Sequence, residues 1–361
     1  MAQSSEAEIE SCFSDHQITP WASGNQFAPG VACTGHSIVI RFDFGDDNKR
    51  ASLPRIKDAQ MTSKSTCRSG LMAGKTCLVT GATSGIGRVT ALELAHMGAN
   101  VVIAGRDPAK CALTANDIRE ESGNPAVEFL VADLSSQEQV RRLADEFMER
   151  HQRLDVLVNN AGAIHLSRRK SADGIEMTFA LNHLSYFLLT NLLLDVLVAS
   201  TPARVVNVAS AVHQKARTDL FDIHAPRRYS GFRAYARSKL CNLLFTYELA
   251  RRLEGTGVTA NALHPGFVAS NLLTNNGILG RFLNLMLSIK GISVEAGALT
   301  SVYAASSPEM QEVSGKYLEK KQIVRSSARS FDEAQAAALW ELSASLTGIP
   351  ATTSFPSPAA N

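Results

Sequence analysis

From Gly74 onward, short apolar runs alternate with amphipathic stretches. Thr76-Cys-Leu-Val-Thr80 is an apolar run of strand length, and residues 85–97 follow it with Ile86, Val89, Leu92 and Leu94 on one helical face. The pairing recurs along the chain. Further strands are predicted at 100–104, 127–132, 154–158, 204–208 and 259–263. Helices are predicted at 108–121 (with Pro108 in the first turn), at 136–151, over a long stretch from about 174 to 199, and around 232–252. A last strand near 316–318 and a helix over about 330–346 close the pattern. Buried strands alternating with helices predict an α/β fold: a single Rossmann-type doubly wound parallel sheet with helices on both faces.

Two regions depart from this rhythm. Residues 1–72 have no sustained period and are rich in small polar residues, so they read as a disordered N-terminal extension. Within them only 37–44 alternates like a strand. Either translation starts at Met61 or Met72, or the extension is a regulatory or targeting arm. The ordered domain then covers 73–348, and 349–361 is a disordered tail. The second region is 276–292, where Ile278, Leu279, Phe282, Leu283, Leu285, Met286, Leu287 and Ile289 make a short, strongly apolar helix. It follows the sixth strand, at the edge where open α/β sheets bind ligands. A packing helix, a lid over an apolar substrate and a weak membrane-surface contact share this composition.

Composition narrows the function. A net charge of +2 across 361 residues leaves no electrostatic footprint for nucleic acid. Six scattered cysteines without a Cys-x-x-Cys pair predict reduced thiols in a cytoplasmic protein, with neither a disulfide frame nor a metal site. No apolar run is long enough to span a bilayer, and no secretory signal opens the chain.

The candidate chemistry sits at strand ends. Thr80-Gly-Ala-Thr-Ser-Gly-Ile-Gly87 joins the first strand to the first helix, bringing in Gly81, Thr83, Ser84, Gly85, Ile86 and Gly87. Gly81 permits the tight turn, and Gly85 and Gly87 let backbone and helix approach a pyrophosphate. Strand two ends without the acid that bonds the ribose 2′-hydroxyl of NAD. Arg106 stands there instead, and a guanidinium suits a 2′-phosphate. The cofactor expected is therefore NADP(H). Asp107, one position further on, complicates that reading, and Lys110 is either a phosphate partner or a solvated charge. Asp133 and Leu134 follow strand three, where they could contact an adenine; a helix cap is an equal account of Asp133. Asn159-Asn160-Ala161-Gly162 follows strand four as either a cofactor-side turn or a plain one.

Ser210 ends strand five. Tyr235 and Lys239 lie four apart on the predicted helix, which places a phenol and an ammonium on one face. A nearby cation favours phenolate and draws a tyrosine toward working pH. Asn182 is a polar amide among Phe179, Leu181 and Leu184 in the long helix, where a packed polar residue is the commoner reading.

Together, Thr80-Gly-x-x-x-Gly-Ile-Gly87, Asn159-Asn-Ala-Gly162, Ser210, Tyr235-x-x-x-Lys239 and His264-Pro265-Gly266 resemble the short-chain dehydrogenase/reductase family over residues 74 to about 348. Asn182-His-Leu184, Phe187-Leu-Leu-Thr190 and Ser314-Gly-Lys-Tyr317 resemble its retinol-dehydrogenase branch. The resemblance implies Tyr235 as acid and base, and Lys239 tuning it and bonding the nicotinamide ribose. It also implies Ser210 on the substrate oxygen and Asn182 supporting a water relay. Pro265 and Gly266 join the cofactor site. It implies interconversion of an apolar carbonyl and its alcohol, and relatives that dimerise or tetramerise. The branch's membrane-bound members carry an N-terminal anchor that is not expected here, and Ala209 stands where a second serine is common. The rival functions are an NADPH-sensing module with little turnover and a reductase of a ring double bond, related to protochlorophyllide reductases. His183, His213 and His264 lack metal-ligand spacing and read as structural.

Overall fold

The computed structural model describes residues 70–216, 229–266 and 292–351. The strand-like 37–44 run and nearly all of the apolar 276–292 segment lie outside them.

Among the described residues, eight strands form one sheet in the order β3-β2-β1-β4-β5-β6-β7-β8. The parallel strands are β1 (Thr76–Thr80), β2 (Asn100–Gly105), β3 (Val127–Val131), β4 (Val156–Asn159), β5 (Ala203–Val208), β6 (Val258–His264) and β7 (Tyr317–Glu319). The order reverses between β1 and β4, which opens a ligand crevice at their carboxyl ends. β8 (Gln322–Val324), absent from the expected pattern, pairs antiparallel with β7. Its two-residue turn uses Lys320 and Lys321 at φ of 51° and 65°, where Asn-Gly would have signalled a hairpin.

Side-chain alternation along the strands feeds two layers. Leu78, Val102, Leu130, Leu157, Val205 and Ala260 point to one core. It is completed by α3 (Gln137–Arg150), α5 (Ser185–Leu192), α6 (Leu194–Ala199), α7 (Gly231–Arg252) and α9 (Glu333–Thr347). Cys77, Val79, Ile103, Val156, Val158 and Val206 point to the other, which is covered by α1 (Gly85–His96), α2 (Pro108–Ser122) and α8 (Val294–Ser306). The pattern of apolar positions did not predict α8. Its buried residues are mostly small (Gly297, Ala298, Thr300, Ser301, Ala304), so it carries no large-residue stripe.

The long helix expected over 174–199 is broken. A single turn, α4 (Met177–Phe179), passes into a π turn at Ala180–Leu184 before α5 begins. Glu176 fixes the start: its carboxylate accepts from Thr178 N and Phe179 N at 2.9 Å each. Elsewhere the caps are ordinary, with Asp107, Ser136 and Asp332 capping α2, α3 and α9.

At the amino edge of the sheet, Asp155 is buried and accepts from Lys75 Nζ and Thr76 N at 2.9 Å and from Arg153 at 2.7–3.0 Å. Burial pushes its carboxyl up, but the Arg153, Lys75 and Thr76 hydrogen bonds outweigh burial and hold it below the ordinary range. A depressed carboxyl stabilises the fold above its unfolded-state pKa, and that contribution is lost as pH falls through the folded value. Asp155→Asn should cost about 1–3 kcal/mol at neutral pH. In urea unfolding, the gap from the wild type should close toward acid pH; a gap independent of pH would contradict this account.

Candidate active site

The turn after β1 crosses directly over the turn after β4. Gly81 holds φ of +64°, and a Cβ there would lie 2.7 Å from Ala161 Cα. On Gly87 a Cβ would lie 2.4 Å from Asn160 Nδ2. Asn160 accounts for that crowding, since its amide donates to Thr80 O at 2.7 Å and to Gly81 O at 3.3 Å. Gly87 is therefore needed for packing against Asn160, besides the close approach to a pyrophosphate that the sequence reading assigned to it. Thr80, a strand residue with no role in that reading, ties the two turns together. Its hydroxyl accepts from Asn160 N and Ala161 N at 2.9 and 3.1 Å. Asn159 joins the strands instead, donating to Asn207 Oδ1 at 2.9 Å and Thr190 Oγ1 at 3.0 Å.

These contacts leave a cradle. Ser84 precedes α1 without capping it, no acid occupies the first turn, and a Cβ on Gly85 would meet open space. Uncapped amides at a helix N-terminus suit a pyrophosphate. Ile86 is half-buried beside them. Thr83 backs onto the bare end of β2, its methyl 2.6 Å from where a Gly105 Cβ would sit. Arg106 is exposed at that strand end. Asp107 turns its carboxylate to Lys110 N at 3.2 Å, where it caps α2. Asp133 accepts from Ser135 N and Oγ at 2.9 and 2.7 Å, while Ser136 caps α3, so Asp133 holds its own turn and is not the helix cap. Leu134 is buried beside it. Pro265 and Gly266 follow β6, with Gly266 at φ of +89° against Ile292. These features fit a dinucleotide laid across the carboxyl ends of β1, β2 and β4.

The chemical groups converge next to that cradle. Tyr235 is buried, and Ile164, Leu166 and Val212 pack around it. Ser210 follows β5, with its hydroxyl close enough to the phenol to pull its pKa down. His213 steadies the Ser210 backbone: its Nδ1 bonds Ser210 O at 2.7 Å and its Nε2 accepts from Ser327 N at 3.1 Å. That pattern requires the Nδ1–H tautomer, and burial holds His213 below its usual pKa. Lys239 Nζ donates to Val208 O at 2.7 Å and lies 5.8 Å from the Tyr235 ring centroid.

Asn182 sits in the π turn and is completely buried. Its amide donates to Ala163 O at 3.0 Å and Ser238 Oγ at 3.1 Å, and its carbonyl accepts from Ala163 N at 2.9 Å. Ser238 in turn donates to Tyr235 O at 2.8 Å. One amide thus clips the turn after β4 to the helix that carries Tyr235 and Lys239. A side chain on Gly162 would come within 3.4 Å of Asn182 Oδ1 and 3.6 Å of Lys239 Nζ.

The electrostatics correct one expectation. Lys239 was expected to draw Tyr235 toward working pH. Burial instead pushes the phenol up to about 12, against a smaller downward pull from Ser210. The same burial lowers Lys239 to about 7. Burial is the largest influence on both groups, and spacing along the chain does not reveal it. His183, driven to about 3 by burial, is a neutral structural residue bonded to Ser343 Oγ at 2.9 Å.

The short chain dehydrogenase family profile matches residues 75–277. The chain belongs to this family. The enzyme is an oxidoreductase acting on alcohol and carbonyl groups with a nicotinamide cofactor. It is similar to retinol dehydrogenase 13 of Homo sapiens, at 43% identity over 286 residues covering 77% of this chain and 86% of that protein. Retinol dehydrogenase 14 of Homo sapiens is 41% identical over 303 residues, covering 78% and 88%. Among solved structures, an uncharacterized protein from Mycobacterium Paratuberculosis aligns at 37% identity and TM-score 0.64, over 81% of this chain and 98% of that one. The Pseudomonas aeruginosa RhlG/NADP active-site complex aligns at 28% identity and TM-score 0.56, over 69% and 96%. Among the described residues, no helix is long and apolar enough to cross a membrane, and no cluster of His, Cys, Asp or Glu could hold a metal.

Proposed function

We propose that the enzyme interconverts an apolar carbonyl and its alcohol with NADP(H), using Tyr235 as acid and base. The observation that carries this reading is a buried phenol walled by Ile164, Leu166 and Val212, with the Ser210 hydroxyl beside it and Lys239 behind its ring. A bound nicotinamide supplies the hydride to the carbonyl carbon in reduction and takes it up in oxidation. Gly81, Gly85, Asn160, Ala161 and Gly162 would hold the dinucleotide, with Lys239 at its ribose. Ser210 donates a hydrogen bond to the substrate oxygen, where negative charge develops. Tyr235 delivers the phenolic proton to that oxygen as the alcohol forms. A phenol raised to about 12 stays protonated at neutral pH, the form that donates its proton in reduction. The reverse reaction needs phenolate and should gain rate as pH rises.

NADP(H) over NAD(H) rests on Arg106 at the end of β2 and on an Asp107 carboxylate already engaged in capping. Arg106→Ala should raise the KM for NADPH by about tenfold and leave the KM for NADH within about twofold. Equal losses for both nucleotides would remove Arg106 from the argument. The overall reading is tested by following NADPH and NADH oxidation against medium- and long-chain aldehydes and a retinoid aldehyde. Turnover limited to short polar carbonyls, or none at all, would overturn it.

A further inference from the structure

Lys239 carries its charge in an unusual setting. It is 3% exposed, and burial is the one influence that moves its pKa, so no carboxylate among the described residues offsets the charge. The groups that face it are the Val208 carbonyl from β5, Gly162 and Asn182 from the turn after β4 and the π turn, and two aromatic rings. One ring is Tyr235, on the same helix. The other is Tyr186 on α5, whose ring centroid lies 5.6 Å from Nζ. An ammonium within about 6 Å of a ring centroid is attracted by the ring's quadrupole, more strongly when dry.

Tyr186 has a second oddity. It is 1% exposed, and its hydroxyl has no hydrogen-bond partner among the described residues. A buried phenol without a partner costs free energy that phenylalanine would not. The hydroxyl therefore does not account for the residue, and the ring does.

We propose that Tyr186 is a positioning residue whose ring face holds the Lys239 ammonium in place opposite Tyr235, standing in for the missing counterion. The proposal deepens the reading of Lys239 as the cationic partner of the catalytic tyrosine and rests on it. Its consequence is directional. Without the ring face the ammonium is less favoured, so Lys239 loses its proton at lower pH.

The test compares the wild type with Tyr186→Phe, Tyr186→Leu and Tyr186→Met. Two curves are measured from about pH 6 to about pH 10. One is kcat/KM for reduction by NADPH. The other is NADPH affinity from nucleotide fluorescence, taken without substrate. Tyr186→Phe keeps the face and should follow the wild type, with an equal or higher Tm. Leu and Met keep bulk but lose the face. Both alkaline midpoints should fall by roughly half to one pH unit, about a three- to tenfold loss on the alkaline side. The Met variant, closer in length and flexible, covers the case in which Leu does not fold.

Lowered Tm with unmoved midpoints in Leu and Met would show Tyr186 to be a core filler and overturn the proposal. A Phe variant that shifts as far as Leu would also overturn it, because the hydroxyl would then be the active group. Tyr235→Phe is measured alongside. Full turnover in that variant would sink the catalytic reading, while the fluorescence curves would still decide the role of Tyr186. Lost turnover in Tyr235→Phe with an unmoved Tyr186→Leu profile would sink this inference alone.

Discussion

Tyr235→Phe should lower kcat for carbonyl reduction by on the order of 10²–10⁴, the range for removing a positioned proton donor. The substitution is conservative in every other respect. The ring is 7% exposed and packs against Ile164, Leu166 and Val212, contacts that phenylalanine repeats. The helix around it is anchored by Lys239 to Val208 O and by Ser238 to Asn182, neither of which touches the phenolic oxygen. Tm should therefore change little, and NADPH should bind as before. Ser210 keeps its hydroxyl, so a residual rate from substrate orientation and hydrogen bonding should persist above background. The measurement is steady-state NADPH oxidation beside a thermal melt. A variant within about threefold of wild-type kcat would remove Tyr235 from the chemistry.

Trp340→Ala should be the most destabilising single truncation, at about 3–5 kcal/mol. Trp340 is 1% exposed on α9, edge-on to Phe187 at 4.9 Å and stacked with Phe245 at 5.9 Å. On its other side the Arg252 guanidinium sits 4.2 Å from the ring centroid, and the indole N–H donates to Ala351 O at 3.2 Å. One side chain thus fastens the last helix to α5 and to α7, the helix that carries Tyr235 and Lys239. Its loss leaves a large cavity and removes one of the two hydrogen bonds that hold Ala351 O, the other coming from Arg252 at 3.0 Å. For a domain of this size the penalty corresponds to a fall in Tm of roughly 6–15 °C. Calorimetry checks it, and a fall below about 2 °C would mean that α9 is not part of the cooperative fold.

Much of this could be read from the chain, and the misses share a cause. β1, β2, β4, β5 and β6 were visible because each is buried on nearly its whole length and therefore nearly continuous in apolar residues, and the edge strand β3 was visible from its short run of apolar residues despite an exposed Glu128. Helix α8 was invisible because a helix packed through alanine, glycine and serine has no stripe to detect. The β7–β8 turn was missed because lysines, not glycine, adopt its positive φ. The π turn at Ala180–Leu184 cannot be told from ordinary helix by spacing, yet it carries Asn182.

By itself, the sequence determined the fold class and the order of chemical groups along it, because strand periodicity and a glycine turn between strand and helix are local properties. It also brought Tyr235 and Lys239 onto one helical face, since four residues is one turn. Only the tertiary structure decided what that pair is. Burial sets the phenol near 12 and the amine near 7, reversing the expected direction for tyrosine. It also brought Tyr186, forty-nine positions before Tyr235, to Lys239. Desolvation and ring faces depend on what surrounds a group in three dimensions, and no spacing along the chain encodes them.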